Sequence, residues 1–132
     1  MKHNQERGLS AENFFASKMS ALGLKFSFEN DWFDFLVNDK KVEIKSCELS
    51  VKQKINKKRT EYRCGRFDFT KKETRELQYN ENIWVCFIMR HAEDFLMLGF
   101  VRAHELNKKR YIPLQTLYKL KIIPLNEWVK LI

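Results

Sequence analysis

The chain has 132 residues, of which 44% are hydrophobic and 32% charged, with 4 Gly, 2 Pro and a formal net charge of +8. That length fits a single domain, residues 1–132, with a sizeable core, and that composition excludes a disordered or low-complexity chain. No apolar run nears the roughly 20 residues that span a bilayer, and the polar opening "MKHNQERGLS" is unlike a signal peptide, so no membrane role and a cytoplasmic setting are expected.

In chain order, "LSAENFFASKMSALG" predicts a helix: Ser10 is a candidate N-cap, Ala11, Phe14, Phe15, Met19 and Leu22 form its apolar stripe, and Gly23 stops it. "LKFSFE" alternates like a strand. Residues 32–37 and 41–48 read as two more strands around the turn "NDKK". "YRCGRFDF" is strand-like, and "TKKETREL" sets Thr70 and Glu73 at capping-box spacing for a second helix. "IWVCFIM" is an unbroken apolar run, as in a strand buried on both faces, and "FLMLGFVRA" follows as its partner with a bulge expected at Gly99. "HELNKK" suggests a short helix, and residues 111–132 fit no simple pattern. The order of elements implies a mixed α/β sheet flanked by helices. Cys47, Cys64 and Cys86 are odd in number and widely spaced, which fits reduced thiols better than a disulfide framework or a zinc site.

The charge is unevenly spread. Residues 51–75 carry ten bases against three acids, a net +7 that accounts for nearly all the excess. Such a block suits a polyanion, whose affinity comes largely from phosphate neutralisation, and without a basic amphipathic helix nucleic acid is favoured over a membrane surface. Read as a plain charge run, the block is a solvated loop.

In "WFDFLVNDKKVEIKSCEL" the period of two puts Trp32, Asp34 and Leu36 on one face of the first strand, and Glu43, Lys45 and Cys47 on one face of the next. A two-residue loop at Asp39-Lys40 would set Leu36 opposite Glu43 and Asp34 opposite Lys45, gathering the three charged groups on one side; an odd loop would turn Asp34 away. Two carboxylates a few ångströms apart call for a cation, and an all-oxygen set selects Mg²⁺ or Mn²⁺, with the backbone carbonyl of Ile44 able to complete the protein's share. The plain structural alternative is a cross-strand ion pair between Asp34 and Lys45.

Asp34 followed after a hairpin by Glu43-Ile44-Lys45, with a preceding helix that carries Glu12, resembles the PD-(D/E)xK nuclease superfamily over roughly residues 7–90. The opening "RGLSAENFFASKMSALGL" is similar to that of the archaeal Holliday-junction resolvases. Phe33 stands where the motif that names the superfamily has proline, and the segment between the helix and Asp34 is shorter than in a resolvase. The resemblance implies a restriction-endonuclease-like fold of core order α-β-β-β-α-β and a Mg²⁺-dependent endonuclease acting on duplex or branched DNA. Asp34, Glu43, the Ile44 carbonyl and Glu12, directly or through water, would hold the metal, and Lys45 would position the attacking water. Lys57, Lys58, Arg59, Arg63, Arg66 and Lys72 would grip phosphates, and a cut in both strands would call for a homodimer. The rival readings are a restriction- or repair-type duplex nuclease, a non-catalytic nucleic-acid-binding module on the same scaffold, and a domain whose basic block docks an acidic partner.

Overall fold

A computed structural model describes residues 2–29, 33–80 and 82–132. The long helix α1 (Lys2–Ala21) leads into a five-stranded mixed sheet built from β1 (Phe26–Phe28), β2 (Phe35–Val37), β3 (Lys40–Glu48), β7 (Ile83–His91) and β8 (Asp94–Arg102), in that spatial order. The pairings β1–β2, β2–β3 and β7–β8 are antiparallel, and β3–β7 is parallel. Between β3 and β7 the chain forms β4 (Ser50–Lys54), β5 (Thr60–Cys64), β6 (Arg66–Asp68) and a π-helical turn at Glu73–Leu77. After β8 come a 3-10 turn at Ala103–Leu106, β9 (Tyr111–Pro113), a second 3-10 segment at Leu114–Lys119 and the short helix α2 (Leu125–Trp128). The expected α-β-β-β-α-β order is thus interrupted by three further strands, and a single π-helical turn stands where the second helix was expected. No helix among the described residues is long and apolar enough to cross a membrane.

The start of α1 differs from expectation. The helix begins at Lys2 and carries Ser10 in its interior rather than as an N-cap. Lys, Gln, Glu and Arg in "KHNQER" are strong helix formers, and Gly8 costs only about 1 kcal/mol against alanine, too little to stop propagation. Its end is as the sequence implies. Gly23 adopts φ 69°, its N–H donates to the Ser20 carbonyl at 3.0 Å, and Leu24 N–H donates to the Met19 carbonyl at 3.1 Å, the paired bonds of a Schellman stop.

The sheet separates two cores. Ala11, Phe15 and Met19, spaced four apart on α1, pack with Phe35, Val37, Val42, Ile44, Trp84, Cys86 and Ile88 on one face, where α2 adds Trp128 stacked on Phe100 at 3.8 Å between ring centroids. On the other face, Val85 and Phe87 meet Phe67, Phe69, Leu77, Ile112 and Leu117 from the segments that cross over it. β7 therefore feeds both cores, as its unbroken apolar run implies. The bulge falls at Leu98: Phe87 faces Gly99 while Ile88 faces Met97. Gly99 is required there, because its φ is 142° and a Cβ would meet Ile122 Cγ2 at 2.3 Å and the Ile123 carbonyl oxygen at 2.7 Å.

Candidate active site

The hairpin loop decides whether Asp34 and Glu43 share a side. It is Asn38-Asp39, one residue earlier than expected, with φ 47° and 66°, and the register pairs Val37 with Lys40, Leu36 with Lys41 and Phe35 with Val42. Asn and Asp tolerate left-handed backbone and lysine does so poorly, which places Lys40 in the strand. The loop is still two residues long. The regular pairing ends at Phe35–Val42, and Asp34 lies just outside it, with its N–H on the carbonyl of Val42 rather than opposite Lys45. Trp32, expected in the same strand, lies outside the described residues.

Asp34 sits in a bend just before β2 begins. Its N–H donates to the Val42 carbonyl at 3.1 Å, and its Oδ2 accepts from the Ile44 N–H at 2.8 Å. Both bonds lie on the edge of β3 that faces β2. Because the N–H and C=O of one strand residue project to the same edge, the Ile44 carbonyl is turned toward Asp34 as well.

Two further carboxyls reach Asp34. Glu12 arrives from α1 and Glu43 from β3, each within hydrogen-bonding reach of the aspartate. Burial, with the Asp34 charge and hydrogen bond added, pushes the Glu12 carboxyl up to about 7. Glu43 is only 7% exposed, and burial together with Asp34 drives its carboxyl up to about 10, against the opposing pull of Lys45. Three acids are thus brought together, with Asp34 in the middle. Among the described residues no three His, Cys, Asp or Glu side chains already stand as a metal-binding group, so the contacts are pairwise.

Lys45 has a partner the sequence did not suggest. Its Nζ lies 2.5 Å from Glu73 Oε2 and 5.0 Å from the centre of the Phe69 ring, which replaces the expected alternative of a pair with Asp34. Glu73 also completes the capping box: Thr70 N–H donates to Glu73 Oε1 at 2.9 Å and Glu73 N–H donates to Thr70 Oγ1 at 3.1 Å. Burial acts to raise the Glu73 carboxyl, but Lys45 and the Thr70 donors outweigh it and hold it below its ordinary value. The capping spacing was legible, yet it concealed that the second oxygen of the same carboxylate reaches Lys45.

The basic block is a structure of its own. β4 and β5 pair into an antiparallel arm, separate from the main sheet, that leaves the end of β3 and turns at 55–59. Five strand residues carry its tip roughly 17 Å outward. At its base, Gly65 crosses β3 so closely that a Cβ would lie 1.9 Å from the Glu48 carbonyl oxygen. Lys57 and Lys58 stand exposed at the tip, Arg59 pairs with Glu61, and Arg63 donates to the Cys64 carbonyl at 3.2 Å. Arg66 pairs with Asp68 at 3.0 Å and lies over the Tyr111 ring. Lys72 is exposed beside Glu73, and with Glu73, Glu76 and Leu77 it lines a cavity of about 120 Å³. The phosphate-gripping candidates therefore do not converge on the acids; most of them form the arm that extends from the same strand.

Comparison of the chain with protein-family models, with curated proteins and with solved structures finds no match in any of the three.

Proposed function

We propose that the protein is a metal-dependent nuclease that hydrolyses phosphodiester bonds in DNA, on a restriction-endonuclease-like arrangement of α1, β1–β3 and β7. The observation that carries this reading is the approach of both Glu12 and Glu43 to the Asp34 carboxylate, each with strongly raised proton affinity. A buried and a half-buried carboxyl whose proton affinity is raised for want of a counter-charge are a fitting donor set for a hard divalent cation, and the Ile44 carbonyl faces the same edge. Asp34 and Glu43 would hold Mg²⁺, or Mn²⁺ in its place, with Glu12 as a direct or water-mediated ligand. When bound, such an ion activates water and neutralises charge developing on the phosphoryl group.

The chain's own residues supply the rest. Lys45 Nζ, held from below by Phe69 and from the side by Glu73, offers an ammonium to orient water or to meet negative charge on a phosphate oxygen. The arm supplies phosphate contacts that carry no base information. Duplex or branched DNA is the substrate proposed, and a cut in both strands would require a second copy of the chain.

The engagement of Lys45 by Glu73 favours a second reading, in which the fold is a nucleic-acid-binding module without catalysis. Incubation with single-stranded, duplex, flap and four-way-junction DNA, with and without Mg²⁺, separates the two. Mg²⁺-dependent cleavage is expected, and salt-dependent binding without cleavage would leave only the binding module.

A further inference from the structure

A second basic region lies where the overall charge balance hides it. From Leu106 to Asn126 there are five bases, Lys108, Lys109, Arg110, Lys119 and Lys121, and no acid. β9 and the 3-10 segment after it fold this stretch around a cavity of about 430 Å³ lined by Lys109, Arg110, Tyr111, Pro113, Thr116 and Lys119 among others. That volume falls within the roughly 300–1,000 Å³ of small-ligand sites.

The cavity's cations are arranged rather than scattered. Asn107 and Lys108 take φ 55° and 58°, two successive left-handed residues that turn the chain into the cavity wall. The Lys109 carbonyl then accepts from Gln78 Nε2 at 2.7 Å and from Thr74 Oγ1 at 3.4 Å, which fixes the backbone there. Arg110 Nε donates to the Phe69 carbonyl at 3.3 Å, an anchor that leaves both terminal Nη groups of the guanidinium for a ligand. A planar fork oriented in this way suits two oxygens of one phosphate. Lys109 and Lys119 are exposed and have no ion-pair partner among the described residues. Tyr111 is 52% exposed with Arg66 over its ring, so an aromatic side chain with one face covered by a cation stands beside the cavity's bases.

The place of this cavity adds meaning to its chemistry. Phe69, which anchors Arg110, also lies under Lys45, and Thr70 begins the turn that carries Glu73. Phe69 therefore links the cavity to the strand of the acid cluster, holding Arg110 by its carbonyl and Lys45 by its ring.

We infer that this cavity is a nucleotide subsite for a nucleic-acid strand passing the acid cluster, with Arg110, Lys109 and Lys119 on the phosphate and Tyr111 against the sugar or base. The inference rests on the nucleic-acid reading above but not on catalysis.

The test uses the full chain in EDTA, so that cleavage plays no part. Binding of a labelled single-stranded oligonucleotide is measured against salt for the wild type, for Lys109→Ala/Lys119→Ala and for Lys57→Ala/Lys58→Ala, and the wild type is photo-crosslinked to an oligonucleotide carrying 5-iododeoxyuridine. Loss of two single-strand contacts should lower the log–log salt slope by about 1.4 in the Lys109/Lys119 variant, and the cross-linked peptide should contain Tyr111. Unchanged slope and affinity in that variant, with weakened binding in the arm variant, would overturn the subsite and leave the nuclease reading standing. Cross-linking confined to residues 51–64 would overturn it even if the double variant fails to fold. Absence of any salt-dependent binding by the wild type would overturn both readings together. Thermal stabilisation by AMP in an oligonucleotide-blind protein would assign the cavity to free nucleotides instead.

Discussion

Lys45 Nζ and Glu73 Oε2 stand 2.5 Å apart although their residues are 28 positions apart in the chain, one on β3 and the other on the turn that follows the arm. The pair joins the strand that carries Glu43 to the segment that leads toward β7. If the lysine acts on phosphate or water, Glu73 sets where its ammonium lies. Glu73→Gln keeps a capping side chain and removes the charge, so the fold should persist while cleavage falls by roughly 10–100-fold, the usual cost of losing an orienting partner. Oligonucleotide affinity should hardly move. A faster enzyme would instead identify the pair as a brake on Lys45.

Asp34→Asn and Glu43→Gln should abolish cleavage while DNA affinity is kept or raised, because an anion is removed from beside the phosphate. Single-turnover assays and filter binding on the same preparations check this. Parallel loss of binding and cleavage would point to misfolding.

The same carboxyls make stability depend on pH. Glu12 and Glu43 have folded-state values near 7 and 10, above the ordinary 4.5, so the folded chain holds protons that the unfolded chain releases. Their contribution is fully present below about pH 4.5 and is lost as pH rises through 7 for Glu12 and on toward 10 for Glu43. Glu73, held low, works the other way and loses its contribution only as pH falls below its ordinary range. The metal-free protein should therefore melt at lower temperature at pH 8 than at pH 6, and Mg²⁺ should raise the melting temperature more at pH 8. A melting temperature that does not respond to pH between 5 and 8 would sink the carboxyl cluster as a proton-sharing unit.

Lys57 and Lys58 are the exposed cations at the tip of the arm. Replacing both with alanine should lower the salt slope of duplex binding by about 1.8 and weaken every sequence alike. Melting should change by no more than about 0.5 kcal/mol, as at other solvated positions.

Gly65→Ala tests how the base of the arm is held. Its Cβ would fall 1.9 Å from a backbone oxygen, that of Glu48, which cannot swing aside as a side chain could. A loss of about 1–3 kcal/mol in denaturant unfolding is expected, with binding impaired as the arm shifts.

The approach of Asp34 to Glu43 was legible from the hairpin spacing, but its route was not: the even loop lies one residue early, and Asp34 sits outside the regular pairing with its N–H on Val42 and its carboxyl on the Ile44 N–H. The beginning of α1 was not legible, since nothing in "KHNQER" opposes a helix and Ser10 looks like a cap wherever it stands. β4 and its pairing with β5 escaped notice, although "YRCGRFDF" reads as strand-like, because the arm is largely exposed on both faces and hydrophobic periodicity has little to report. Glu73 was hidden by having two tasks, of which local spacing reveals only the cap. The basic stretch after Leu106 was hidden by averaging, because the acids of the earlier chain cancel it in any global count.

Ser50 pairs with Cys64 across the base of the arm, and the Gly65 N–H returns to the Leu49 carbonyl. The chain therefore leaves the domain and re-enters it at nearly one point, and residues 51–63 form a closed excursion. Lengthening or shortening such an excursion costs little, since loop-closure entropy grows by only about 0.6 kcal/mol per doubling. The arm is in this sense an exchangeable cassette: its reach and charge can be rewritten by insertion, deletion or grafting while the acids on β3 keep their positions.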